Sequence, residues 1–320
     1  MFAITGLEAK GTRGSCAITG IESTTNQSCM ALIPKANIEL KYLFYFYSFY
    51  GELLAFNYCQ GTKQQSYNGK IAKKLPINIP PLPEQEKIAA ILSKWDEAID
   101  KTKNLIESIK LRNKGLAQQL LTGKKRLKGF EGEWEELKAE KVFSNHTDKN
   151  HDGTLEILSA TQEKGVIPRS MNNIDIKYDP KSLGNYKKVE KGDFVISLRS
   201  FQGGIEYSNY EGIVSPAYTI LKEALPISKS FFKIYFKTET FINRLNTIIY
   251  GIRDGKQISF KDFSTLKIPY PSLKEQQAIA KVLDKADEEL KLYEKKLSVL
   301  KEQKKGLMQQ LLTGKTRVKV

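Results

Sequence analysis

The chain has 320 residues, with 51 Lys and Arg against 36 Asp and Glu, a net charge of +15 and a pI near 9.4. The basic excess favours a polyanionic partner, and the length leaves room for two domains besides any long helices. Cys16, Cys29 and Cys59 are odd in number and lack CxxC spacing, which excludes a disulfide scaffold and a zinc site and fits a reducing cytoplasm.

The chain starts MFAITGLEAK, with no basic region followed by an apolar run, so no signal peptide is read. Residues 1–78 contain short strand-like pieces at 17–21 and 29–34, an aromatic segment at 42–56 (YLFYFYSFYGELLAF), and 61–79, read as a loop followed by a strand. The aromatic segment is interrupted by Ser48, Gly51 and Glu52 and is too short to span a membrane, so a buried helix is expected. Residues 80–128 then read as one long helix. Phe130-Glu-Gly-Glu-Trp134 opens a second globular region whose pieces at 155–159, 194–198, 213–221 and 266–270 are short and rich in β-branched residues. A helix is expected over 228–248. This is an α+β pattern. A second long helix closes the chain.

The two long helices are copies of each other. Residues 80–128 and 271–319 align at a shift of 191 without a gap, with 23 of 49 positions identical. In the first, Ile88, Leu92, Trp95, Ile99, Thr102, Ile106, Ile109, Asn113, Leu116 and Leu120 alternate at spacings of four and three. In the second, Ile279, Leu283, Ala286, Leu290, Tyr293, Leu297, Leu300, Lys304, Leu307 and Leu311 keep the same register. A 3.5-residue apolar repeat of this length is a coiled-coil seam, and a shared register suits antiparallel packing about an internal pseudo-twofold. Asn113 and Lys304 interrupt the seam at one repeat position and read as solvated or register-setting. Both copies follow proline-rich segments and end in LLTGK, where Gly123 and Gly314 suit left-handed caps. A run of 84–121 would be about 57 Å long at ~1.5 Å per residue, a spacer as well as a core.

The globular regions also match each other. Phe2-Ala-Ile-Thr5 resembles Phe194-Val-Ile-Ser197, Met30-Ala-Leu-Ile33 resembles Tyr218-Thr-Ile-Leu221, and 75–82 aligns with 266–273 at the same shift of 191. The first region thus corresponds to the later part of the second, and nothing ahead of it matches 129–193. On this reading Leu32, Phe46 and Phe49 should lack packing partners unless a second chain supplies them.

No catalytic constellation is present in the sequence. Gly314-Lys-Thr316 ends like a phosphate loop, but the earlier glycine would fall at Gln309; Asn78-Ile-Pro-Pro81 lacks the spacing and the aromatic of an amino-methyltransferase motif. With only His146 and His151, both read as solvated loop residues, a histidine triad or metal set is not available. Glu163-Lys164 and Glu190-Lys191 read as ordinary surface. What remains is binding chemistry. The strand at 194–198 leaves into a loop carrying Arg199, Gln202 and two glycines, and 249–259 forms a second such loop with Arg253, Lys256 and Gln257, followed by Lys261. Arg suits guanine and Gln suits adenine in the major groove, while Lys suits phosphate. Arg13, Lys63 and Gln64 occupy equivalent places in the first region. Charge alone does not single out the central region: 1–83 carries +4, 84–128 +5, 129–274 only +2, and 275–320 +4. DNA binding there would need one organised face.

The Pro-x-Leu-x-Glu-Gln entry into each helix, the Gln-Gln-Leu-Leu-Thr-Gly-Lys ending and the Phe-Glu-Gly-Glu-Trp that follows the first helix together resemble the specificity subunit of a type I restriction–modification enzyme. The resemblance covers essentially the whole chain. It implies a partial first target-recognition domain (1–78), a spacer helix (79–128), a complete second recognition domain (129–267) and a second spacer helix (268–320), the helices forming an antiparallel coiled coil. It further implies a non-catalytic subunit that reads a split sequence in double-stranded DNA and docks methyltransferase subunits, to which restriction subunits attach. S-adenosylmethionine and ATP would sit on those partners, with no cofactor, metal or membrane on this chain. A second copy or an upstream fragment would complete the first domain. The alternative is a partial subunit that acts only as a coiled-coil scaffold.

Overall fold

The structure is a computed structural model and describes residues 1–3, 14–59, 66, 68–172, 180–248 and 258–320. In chain order the elements are β1 (Phe2–Ala3), β2 (Cys29–Met30), α1 (Leu40–Tyr58), α2 (Gly69–Ala72), α3 (Leu82–Leu121), β3 (Glu135–Lys138), α4 (Ala139–Val142) and β4 (Phe143–His146). There follow β5 (Leu158–Thr161), β6 (Gly165–Pro168), β7 (Lys187–Val189), β8 (Phe194–Ile196), α5 (Ser200–Gly203), β9 (Glu206–Tyr207), β10 (Gly212–Val214) and β11 (Thr219–Glu223). The chain closes with α6 (Lys229–Tyr235), α7 (Glu239–Thr247), α8 (Phe260–Ser264), β12 (Lys267–Tyr270) and α9 (Leu273–Leu312). It divides into two compact units, Met1–Ser108 with Leu290–Val320, and Ile109–Glu289.

In the first unit the aromatic run forms α1, capped by the Glu39 carboxylate, which accepts from the Lys41 N–H. One face packs with Phe2, Leu43, Phe46, Tyr47, Leu54 and Leu75. The other meets the start of α3 and the end of α9 through Tyr42, Tyr45, Ile88, Leu92, Met308, Leu311 and Leu312. Phe46 is therefore a core residue, and Leu32 and Phe49 are partly buried against these clusters; the expectation that the three lack partners does not hold. The strand pair β1–β2, with Phe2 opposite Met30, parallels the β8–β11 pair of the second unit, where Phe194 lies opposite Leu221. The strand-like piece expected at 17–21 and the strand expected at the end of 61–79 do not form strands. A strand needs a ladder partner. The counterpart of 75–79 is β12, which pairs with β3; 75–79 has no such neighbour among the described residues.

In the second unit the antiparallel sheet β4-β11-β8-β9 is covered on both faces. Side chains alternate across a strand, so Phe194, Ile196 and Leu221 enter an aromatic core with Phe143, Phe231, Phe232, Phe236, Phe241 and Phe263. Val195 and Ile220 point the other way, into a core with Leu158, Val166, Val189 and Val214. The expected single helix at 228–248 is instead α6 and α7. The Thr238 hydroxyl caps α7 by accepting from the Phe241 N–H at 3.3 Å, and Lys237 turns inward to Glu206 at 2.6 Å. The run 213–221 likewise splits into β10 and β11, which join different sheets.

Both long helices form, and both stop at a glycine with positive φ, Gly123 (+71°) and Gly314 (+73°), a conformation glycine adopts without a Cβ clash. The same closing bond recurs: the Lys125 N–H donates to the Gln119 carbonyl and the Thr316 N–H to the Gln310 carbonyl, each at 3.1 Å. Of the seam residues, Ile88, Leu92, Ile99, Ile106, Ile109, Leu120, Ile279, Leu283 and Leu311 are buried, while Trp95, Leu116, Leu290, Leu297, Leu300 and Leu307 are half-buried. In the first unit the start of α3 packs on the end of α9. In the second, the Asn113 side-chain amide donates to the Ala286 carbonyl at 2.8 Å, and Arg112 pairs with Glu289 at 2.7 Å. The helices run antiparallel. Asn113 and Lys304, both half-buried, thus have partners across the helix pair, as register-setting residues do: the Lys304 ammonium lies 2.5 Å from Asp96 and 4.9 Å from the Tyr45 ring centroid. The Tyr45 hydroxyl donates to the same Asp96 carboxylate at 2.6 Å. Burial, then that hydrogen bond, push its pKa up to about 12.

Each helix entry is held by an arginine that follows the other helix. Glu84 accepts two bonds from Arg317, at 2.7 and 2.6 Å, and Glu275 accepts two from Arg126, at 2.6 and 2.7 Å. Glu84 and Glu275, like Arg126 and Arg317, are equivalent positions at the shift of 191. The hydrogen bonds from Arg317 hold the Glu84 carboxyl below its ordinary range. The Glu275 side chain is 3% exposed and its arginine 22%, whereas Arg317 is 66% exposed. Removing one partner of a buried pair strands the other charge at a cost of about 3 kcal/mol or more. Arg126→Ala should therefore destabilise the protein by about 3 kcal/mol in denaturant titrations, and Arg317→Ala, which strands the equally buried Glu84, should destabilise it as well.

Candidate nucleic-acid interface

The sheet of the second unit ends in a cleft of about 600 Å3. One wall is the tip of the β5–β6 hairpin (Thr161, Gln162, Glu163, Lys164); the other is Ser197, Leu198 and Arg199, where β8 runs into α5; Ser159, Ala160, Asn172 and Tyr218 complete the lining. The hairpin tip is shaped by Thr161, whose hydroxyl donates to the Gly165 carbonyl at 2.9 Å and accepts from the Lys164 N–H at 3.1 Å. Beyond β8 the chain turns where the Ser197 N–H donates to the Ser200 hydroxyl at 2.8 Å.

The segment expected to be an open Arg/Gln/Gly loop is therefore a short helix, with Arg199 at its start and Gln202 on it, both exposed. Its glycines face the protein. A Cβ on Gly204 would lie 1.9 Å from the Phe236 carbonyl oxygen, and one on Gly203 would lie 2.6 Å from the Gln162 side chain. They allow α5 to sit tightly against α6 and the hairpin.

Beneath α5 a half-buried lysine pairs with a buried glutamate. The Lys237 ammonium donates to Glu206 at 2.6 Å, to the Gly203 carbonyl at 2.8 Å and to the Gln162 carbonyl at 3.3 Å. Glu206 is 1% exposed, and one of its carboxylate oxygens has no hydrogen-bond partner among the described residues. Burial, opposed by Lys237, pushes its pKa from 4.5 up to about 6.

Lys188, Lys222 and Arg244 are engaged by Glu211, Glu190 and Glu136. Lys164, Arg199 and Lys261 enter no ion pair among the described residues. Lys261 lies exposed on α8, whose Ser259–Asp262 capping box fixes the helix start. Arg13, Lys63, Gln64, Arg253, Lys256 and Gln257 lie outside the described residues. Gln162 and Lys164 were missed as site residues because Glu163-Lys164 looks like common surface; a signal was present in Thr161-Gln-Glu-Lys-Gly165 between two strand-like pieces, a hairpin tip. His151 is not a solvated loop residue: the Gly153 N–H donates to Nδ1 at 3.2 Å, leaving Nε2 to donate to the Tyr186 carbonyl at 3.0 Å. Among the described residues no group of His, Cys, Asp and Glu could hold a metal ion, and no helix is long and apolar enough to cross a membrane.

The profile of the type I restriction modification DNA specificity domain matches residues 3–111 and 132–302. The chain belongs to this family. Its members are the DNA-recognition subunits of type I restriction–modification systems, and they are not catalytic. The specificity subunit of type I restriction enzyme MjaVIII from Methanocaldococcus jannaschii is 27% identical over 321 residues, covering 91% of this chain and 74% of that protein. A chain from the same organism, described as the MjaX specificity subunit, is 29% identical over 313 residues and covers 91% and 71%. The crystal structure of a type I restriction–modification S subunit from M. genitalium aligns with a TM-score of 0.50 at 19% identity, over 86% of this chain and 73% of that one. That likeness is one of fold: α+β regions joined to two long helices that pack together.

A carboxyl held above its unfolded value favours the fold below about pH 4.5 and loses that contribution as pH rises through about 6. The Glu206 contribution to the unfolding free energy across this window should fall with rising pH, opposite to that of carboxyls held below their ordinary range such as Glu84. In denaturant titrations across this window, Glu206→Gln should remove that contribution of about 2 kcal/mol, from ~1.4 kcal/mol per pKa unit.

Proposed function

We propose that this specificity subunit reads DNA through the cleft between the β5–β6 hairpin and α5, with Arg199 and Gln202 at base edges and Lys164 and Lys261 at phosphates. The observation that supports this most is the exposed Arg199 at the rim of the cleft, in no ion pair among the described residues, in a region whose charge is otherwise nearly balanced. Arg presents a fork of donors to guanine O6 and N7, Gln one donor and one acceptor to adenine, and Lys a point charge to phosphate. Arg253, Lys256 and Gln257 are further proposed DNA contacts of the same half-site, and Arg13, Lys63 and Gln64 of the other half of a split target. The paired helices act as the spacer and, through their charged outer faces, as the docking site for methyltransferase subunits. Nuclease subunits join through those. S-adenosylmethionine and ATP belong to the partners.

The test is methylation mapping of cells carrying the wild-type or a variant gene. Arg199→Ala should relax one position of the target, with about 1–3 kcal/mol of discrimination lost. Lys261→Ala should weaken binding evenly across sequences and reduce the salt dependence. An unchanged target in Arg199→Ala would remove that residue from the reading surface. A chain that copurifies with methyltransferase subunits but selects no sequence would be a scaffold only.

A further inference from the structure

We infer that Gln162, at the tip of the β5–β6 hairpin, is a specificity-determining residue that reads a single A·T base pair jointly with Gln202, and that Lys237 is the residue that positions the two. The inference rests on the reading surface proposed above. Gln162 and Gln202 come from different elements, 40 residues apart, yet their side-chain amides meet at 3.4 Å. Both side chains are exposed beside the cleft. A Cβ on Gly203 would collide with the Gln162 side chain, so this approach needs glycine at that position.

The chemistry of the pair follows from its own hydrogen bond. Each free glutamine amide offers a carbonyl acceptor and an NH2 donor. Once Gln162 donates to the Gln202 carbonyl, the Gln202 NH2 and the Gln162 carbonyl face outward. Reversing the bond exchanges the two residues' roles and leaves the same set, one donor and one acceptor. Adenine displays the complement in the major groove, an N7 acceptor beside an N6–H donor. Guanine displays two acceptors there.

Lys237 sets the spacing of this edge. Its ammonium grips the main-chain carbonyl of Gln162 and that of Gly203, the residue after Gln202, while Glu206 neutralises it from below. The hairpin is tied to the same place by the parallel bridge between Val166 and Ser208, two residues beyond Glu206. A half-buried ammonium that binds the backbone of both carriers and is anchored on the buried Glu206 fixes their separation in a way that two exposed side chains would not achieve alone.

The full chain is used to select from a library of random-sequence duplexes, and the bound pool is sequenced. Wild type should enrich a motif with A·T at one position whose preference falls about tenfold in both Gln162→Ala and Gln202→Ala, the scale of a good base contact. The double variant should lose no more than either single one. Lys237→Met combined with Glu206→Gln avoids stranding a buried charge; it should lose the same preference while keeping its melting transition and its affinity for random duplex at low salt. Lys237→Arg should recover part of it. If wild type enriches no motif, the proposed reading function itself fails. A wild-type motif that both glutamine variants leave intact, relaxation at two unrelated positions, or an even loss of affinity for all sequences would overturn the inference and leave the reading function standing.

Discussion

Two carboxylates at the starts of two helices, each gripped by an arginine that follows the other helix, constrain this molecule more than any other contact. Glu84 with Arg317 and Glu275 with Arg126 are one interaction made twice. A helix 40 residues long spans roughly 60 Å, so a parallel pair would leave each arginine far from its carboxylate. Only the antiparallel arrangement closes both. Carboxylates are also favoured at helix N-termini by the macrodipole. Buried ion pairs add little net stability because desolvation offsets the attraction; their effect here is to specify direction and register, which a leucine seam alone leaves loose. Asn113 on the Ala286 carbonyl and Lys304 on Asp96 act in the same sense.

The residue after each of these carboxylates joins the helix to the globular part of its unit. Gln85 accepts from the Glu39 N–H, at the start of α1, and donates to the Pro80 carbonyl; Gln276 accepts from the Ser228 N–H, at the start of α6, and donates to the Pro271 carbonyl. Both glutamines are fully buried. The Pro-x-Leu-x-Glu-Gln entry is thus a joint: the glutamate binds the arginine that follows the other long helix, and the glutamine binds the start of α1 or of α6. In the second unit Trp134 adds to it, donating its indole N–H to Glu275 at 3.0 Å with the Arg126 guanidinium 5.4 Å from its ring centroid.

The reading surface is built with similar economy. Its exposed side chains sit on a four-residue helix and a hairpin tip, neither of which is rigid by itself. What makes them definite is underneath: a sheet with two cores, and a half-buried Lys237 whose donors are used on the backbones of both elements. A neutral side chain there would leave the Gln162 and Gly203 carbonyls without this partner. The inward lysine also accounts for the break between α6 and α7, since a continuous helix would carry residue 237 on its own surface.

The sequence by itself determined the long helices, their seam register, their glycine stops and their duplication, because all of these are periodic or local. A 3.5-residue repeat and an LLTGK ending carry their meaning within a few turns. It also placed Arg199 and Gln202 after a buried strand, since Phe194-Val-Ile196 is apolar on both faces. Only the tertiary structure decided the rest. Pairings separated by 149 and 233 residues, Arg126 with Glu275 and Arg317 with Glu84, leave no local pattern. The strand expected at the end of 61–79 is absent because a strand depends on a neighbour the local sequence does not contain. The helix at 228–248 divides because Lys237 finds Glu206, a contact made across a sheet. Gln162 meets Gln202 for the same reason: the fold brings the hairpin tip and α5 together, and nothing in either segment alone records the other.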